Sequence, residues 1–194
     1  MTVKSAAAKA PGALSGLKRR GGGILVVGVP GEQRRLCGRL LGSTKRERVV
    51  VGAEDSCLTA DCHHEATVVQ GRPAQTTACR AGAVLQSSSL ADRVTEAIGA
   101  HSQGLAPAEL RVCLGPVAPD TLQAKSVFLD TVLEKLGRVN ALGHVHVSEP
   151  YESDLVRRLE PRFDAIVEVD ADPRPRQRWH FPDHGVTTDW IDLG

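Results

Sequence analysis

The chain is punctuated by short apolar-rich runs at residues 24–27, 48–53, 110–114, 141–148 and 164–169, the first of them continuously aliphatic. Each is too short for a helix and reads as a strand, with 24–27 and 48–53 of the type covered on both faces in a parallel sheet. Residues 66–70 predict a further strand, ended by Gly71, Arg72 and Pro73. Between these runs the period changes to that of helices. Leu36, Cys37, Leu40 and Leu41 share a stripe within 32–41, and Gly42 supplies a stop. Ser87, Ser88 or Ser89 can cap a helix that runs to about His101, with Leu90, Val94, Ala97 and Ile98 on one face. Segments 121–139 and 151–159 predict two more helices. Near the C terminus Arg176, Arg178 and His180 alternate with Gln177, Trp179 and Phe181, the two-residue period of a hairpin or edge strand, and 187–193 offers it a partner. Strands alternating with helices, followed by a meander, predict an open α/β sheet with right-handed crossovers.

Length and composition narrow this picture without redirecting it. The 194 residues suffice for one sizeable core, read as a flexible basic leader over 1–21 and a single α/β domain over 22–194. The leader carries Lys4, Lys9, Lys18, Arg19 and Arg20 among Ala and Gly, without an apolar core for export, and no segment reaches the apolar length that spans a bilayer. A net charge of +1 and 3% aromatic residues argue against nucleic acid as the partner. The five cysteines are an odd number scattered over predicted helix, loop and strand, which suits a reducing cytoplasm better than a disulfide framework. Cys57, Cys62, His63, His64 and Cys79 have ligand chemistry, but their spacing does not match the paired Cys arrangements of structural zinc sites, so no metal is expected there.

The stretch from Gly23 to Cys37 runs as strand, Gly/Pro turn and helix with no slack, the layout of a phosphate-cradling loop. Set against G-x-x-x-x-G-K-[ST], the register from Gly28 keeps the first glycine and places Gln33, Arg34 and Arg35 at the last three specified positions. Gln33 puts a Cβ where backbone would approach phosphate. Arg34 keeps the positive charge of the lysine but not its point-like ammonium. Arg35 replaces a magnesium-binding hydroxyl with a cation.

Gly28-Val-Pro-Gly-Glu-Gln-Arg-Arg35 resembles the loop of the RecA/KaiC-like ATPases, and segments 128–147 and 159–169 are similar to haloarchaeal RecA/KaiC-related proteins of unassigned function. The resemblance implies a RecA-like three-layer fold, with a mostly parallel central sheet, helices on both faces and a C-terminal β-hairpin or meander. It places Gly28, Gly31, Arg34 and Arg35 at the phosphate loop, Glu54 (with Asp55 beside it) at the catalytic carboxylate, and His146 or Ser148 at a γ-phosphate sensor. It also places Gly115 where a magnesium-supporting aspartate belongs. With both magnesium contacts replaced, hydrolysis loses the metal that neutralises phosphoryl transfer. The implied function is a non-catalytic, degenerate RecA/KaiC-like domain acting in regulation or assembly through protein partners or self-association, with no cofactor. The alternative is an ATP-binding ATPase or switch that uses Arg34 and Arg35 as an anion clamp at a helix N-terminus.

Overall fold

The computed structural model describes residues 4–43, 45–52, 66–69, 89–115 and 126–194. The chain is α/β. Its elements are α1 (Lys4–Arg20), β1 (Gly22–Gly28), α2 (Pro30–Leu41), β2 (Arg48–Val51), β3 (Thr67–Val69), α3 (Leu90–His101), β4 (Arg111–Leu114), α4 (Ser126–Arg138), β5 (Leu142–Val147), α5 (Asp154–Leu159), β6 (Ala165–Asp170), β7 (Arg176–Phe181), β8 (Val186–Thr187) and β9 (Ile191–Asp192). Among the described residues one sheet holds all the strands in the order β3-β2-β4-β5-β1-β6-β7-β8, with β9 also on β7. From β3 to β6 all pairings are parallel, and β7 turns the edge antiparallel. The C-terminal period of two is thus an antiparallel extension of a parallel sheet.

Because side chains alternate along a strand, the two faces of the sheet separate cleanly. One face presents Leu25, Val27, Val49, Val51, Val112, Leu114, Val145 and Val147 to Val94 and Ile98 of α3, to Leu129, Val132 and Leu136 of α4, and to Leu155, Val156 and Leu159 of α5. The opposite face presents Ile24, Val26, Leu142, Ala165 and Val167 to α1 and to Leu36 and Leu40 of α2. Helices therefore cover both faces. Local signals fix their ends: Ser89 and Asp92 cap α3 reciprocally, Ser153 accepts from the Val156 amide at α5, and Gly42 closes α2 at φ 75°.

The leader expected over 1–21 is instead helical over Lys4–Arg20. Ala10, Ala13 and Leu17 are buried at helical spacing, and Arg20 reaches Asp164 at 2.7 Å while the same carboxylate accepts the Gly23 amide at 2.9 Å. Two of the three buried positions are alanines, so the stripe carries little hydrophobic contrast, and docking on the sheet supplies what periodicity does not. No helix among the described residues is long and apolar enough to cross a membrane.

Candidate functional site

From β1 the chain moves to one side of the sheet, and from β5 it crosses back to β6 on the other side. The C-terminal ends of β1 and β5 therefore flank the topological switch point, where open α/β sheets place their ligands. Gly28 ends β1 with φ 100°, and a Cβ there would lie 2.1 Å from the Val169 carbonyl oxygen, so only glycine fits. Val29 follows, and α2 begins at once at Pro30.

That early start leaves little room for a nest of free amides. The Gly28 amide donates to Glu149, Val29 to Val169, and both Glu32 and Gln33 to the Val29 carbonyl. Pro30 has no N–H. Among residues 28–33 this leaves the amide of Gly31. At the positive end of α2, Glu32 places a carboxylate 3.6 Å from the Arg35 guanidinium, a charge that favours the helix dipole and opposes an incoming phosphate.

Gln33 seals the turn from below. It is 3% exposed, and its Nε2 donates to the carbonyl oxygens of Gly28 at 2.9 Å and Val147 at 3.0 Å. Two acceptors on one end dictate which end of the amide is which, so Oε1 faces Nδ1 of His146 at 3.1 Å and accepts its proton. The structure thus joins Gly28, Gln33 and His146 into one bonded unit across β1, α2 and β5. Gly31, Arg34, Arg35 and Ser148 are exposed around it. Gly115 ends β4 buried, its amide donating to Val51, and brings no carboxylate. Glu54 and Asp55, and the group Cys57, Cys62, His63, His64 and Cys79, lie outside the described residues.

Below this unit is an arrangement that sequence spacing did not reveal. Cys37 of α2, Cys113 of β4, and His144 and His146 of β5 are buried, and one donor atom from each lies within 4.8 Å of the others. Cys113 and His144 are register partners on adjacent parallel strands, and His146 stands two residues along on the same face. The Cys37 sulfur is 3.5 Å from the Cys113 sulfur and 3.3 Å from His144 Nε2. The one signal available beforehand was the pair of histidines two apart in an otherwise apolar strand.

Two further polar groups mark the borders of the sheet. Toward its antiparallel edge, Glu168 meets Arg178 at 2.6 Å and His180 at 3.2 Å, and the His180 ring stacks on Tyr151 at 3.8 Å. Burial pushes the Glu168 carboxyl up, but the bonds and charges of His180 and Arg178 outweigh it and hold the group below the ordinary range. Burial, helped by nearby carboxylates, pushes the Tyr151 phenol up. At the N-terminal ends of the strands, a cleft of about 630 Å³ is lined by apolar residues together with Lys18, Arg39, Arg46, Arg111 and the carboxylate of Glu109. Burial and the neighbouring Arg46 charge bring the Arg111 guanidinium down to about 10.

These features define an α/β protein whose switch point is occupied by its own side chain. The chain belongs to a family of unknown function, DUF7504, whose model matches residues 21–169 and so takes in β1 to β6 with the whole Gly28–Gln33–His146 unit. A search of curated proteins finds no match to the chain.

Proposed function

We propose that the chain is a non-catalytic RecA/KaiC-like domain that acts in regulation or assembly through protein–protein contacts. The observation that carries this reading is Gln33, whose amide fills the β1–α2 turn and bonds to the Gly28 and Val147 carbonyls in place of a ligand. Supporting it are the mostly parallel sheet with helices on both faces, the antiparallel C-terminal extension, and a β4 terminus that brings glycine where magnesium support is needed. A core built from strands 22–28 and 142–147 does not depend on phosphate chemistry, so such a domain keeps its fold after its loop has changed.

Calorimetric titration of ATP, ADP and GTP with magnesium, at protein concentrations suited to micromolar affinity, should show no binding heat. Saturable heat abolished by Arg34→Ala would overturn the reading in favour of a nucleotide switch. So would ATP hydrolysis above background that Glu54→Gln removes. Size-exclusion chromatography with light scattering across a concentration series then separates self-association from the need for a different partner.

A further inference from the structure

The buried Cys37, Cys113, His144 and His146 cluster lies beneath α2 and shares His146 with the Gly28–Gln33–His146 unit, but its chemistry is that of metal ligands and not of phosphate binding. Its donor set mixes two soft sulfurs with two imidazole nitrogens. A tetrahedral ion with metal–sulfur bonds of about 2.3 Å and metal–nitrogen bonds of about 2.0–2.1 Å keeps its donors roughly 3.3–3.8 Å apart. The Cys37–Cys113 and Cys37–His144 separations of 3.5 and 3.3 Å are close to such edges, and with all four donors within 4.8 Å of one another small side-chain shifts close the set around an ion.

His146 supplies the second, independent observation. It is fully buried, and its Nδ1 is committed to Gln33. Since Gln33 presents an acceptor there, the proton resides on Nδ1 and the lone pair on Nε2. Nε2 is buried with no hydrogen-bond partner. An imidazole fixed by a carbonyl-type acceptor on one nitrogen, with the other bare, is the posture of a metal ligand held by an outer partner. An orphaned buried acceptor is costly, and a cation at the cluster removes that cost.

We propose that Cys37, Cys113, His144 and His146 form a structural zinc site that pins α2 to β4 and β5, with Gln33 orienting His146. Soft thiolates with imidazoles select zinc over magnesium or calcium, which require oxygen ligands. The dication, two thiols and two neutral imidazoles combine into a complex of zero net charge with release of two protons, so the apolar interior receives no net charge. Four protein ligands close the coordination sphere, which makes the site structural rather than catalytic. With all four ligands buried, the ion enters during folding and exchanges slowly from the native chain.

The test is elemental analysis of the full chain, purified in reductant without an immobilised-metal step and dialysed against chelator. One zinc per chain is expected, and refolding with cobalt(II) should give a thiolate-to-cobalt charge-transfer band with the intense ligand-field bands of a tetrahedral ion. Cys37→Ser and Cys113→Ser should each abolish both, while Gln33→Leu should keep the ligands and weaken affinity roughly 10–100-fold. If the cysteine variants do not fold, the wild-type chain alone decides: its unfolding midpoint should fall when it is refolded with chelator instead of zinc. A folded, metal-free chain with the same midpoint in zinc and in chelator would sink the proposal. So would zinc retained in both cysteine variants, which would assign the ion to Cys57, Cys62 or Cys79. Reversible loss of two thiols on oxidation, with no metal at any stage, would replace the zinc site with a dithiol pair.

Discussion

The face of the sheet under α3, α4 and α5 and the face under α1 and α2 are made from the same strands, residue by alternate residue. In β5, Val145 and Val147 enter the first, and His144 and His146 the second. In β4, Val112 and Leu114 stand against Arg111 and Cys113. The first face is built mainly by aliphatic burial, with one side-chain bond at its border between Thr67 of β3 and His101 of α3 at 3.0 Å, and aliphatic packing accepts neighbouring side chains of similar volume. The second carries directional bonds from Gln33 to two strands, which fix where α2 starts and how it is turned. The contrast teaches that α2 is fixed at its first turn by buried side-chain bonds to two strands, whereas α4 presents Leu129, Val132 and Leu136 to the sheet.

The comparison is broken most severely on the aliphatic side. Leu136→Ala, at a fully buried position of α4, should cost about 2–5 kcal/mol, read as a lower denaturant midpoint with an unchanged slope. Removing the directional side is expected to cost less. Gln33→Leu leaves the buried His146 Nδ1 proton without its acceptor, which should cost about 1–3 kcal/mol, and removes one donor each from the Gly28 and Val147 carbonyls, which should raise hydrogen exchange at the first turn of α2. An equal loss from Gln33→Leu and from a truncation at Leu36, with no local change in exchange, would erase the distinction.

A smaller effect sharpens it at the sheet edge. Glu168 is held below its ordinary range, so its ion pairing stabilises the fold above about pH 4.3, the unfolded glutamate value, and that stabilisation is lost as pH falls through the lower folded value. Arg178→Gln should therefore unfold more easily than wild type at neutral pH, and the gap should close under acid conditions in pH-dependent melting curves. A gap that stays constant through the acid range would remove Glu168 from the account. Smallest is Ser153→Ala, which removes the oxygen that accepts the Val156 amide at 3.3 Å and should cost about 0.5–1 kcal/mol in thermal melts.

Much of the fold was legible from the chain because its signals are local. Short apolar-rich runs announced the parallel strands, the Leu90–Ile98 stripe with its serine cap announced α3, and the alternation of 176–181 announced the edge. The α1 helix was not legible, since its alanine stripe acquires meaning only against the sheet. At the site, the sequence marked Gly28 as the turn and Gln33 as the position where a side chain would meet a phosphate. It did not show that α2 begins at Pro30 or that the amide bonds to β5.

The sequence by itself determined the strand-forming runs, the altered residues at the phosphate-loop register, and the shared face of His144 and His146, because each depends on neighbours a few positions apart. The tertiary structure alone decided that β4 lies between β2 and β5 and that α2 lies across them. Those choices bring Cys37 to Cys113 over a separation of 76 residues and to His144 over 107. Such contacts depend on strand order and helix docking, which are settled by burying the whole sheet at once and leave no periodic trace in the chain.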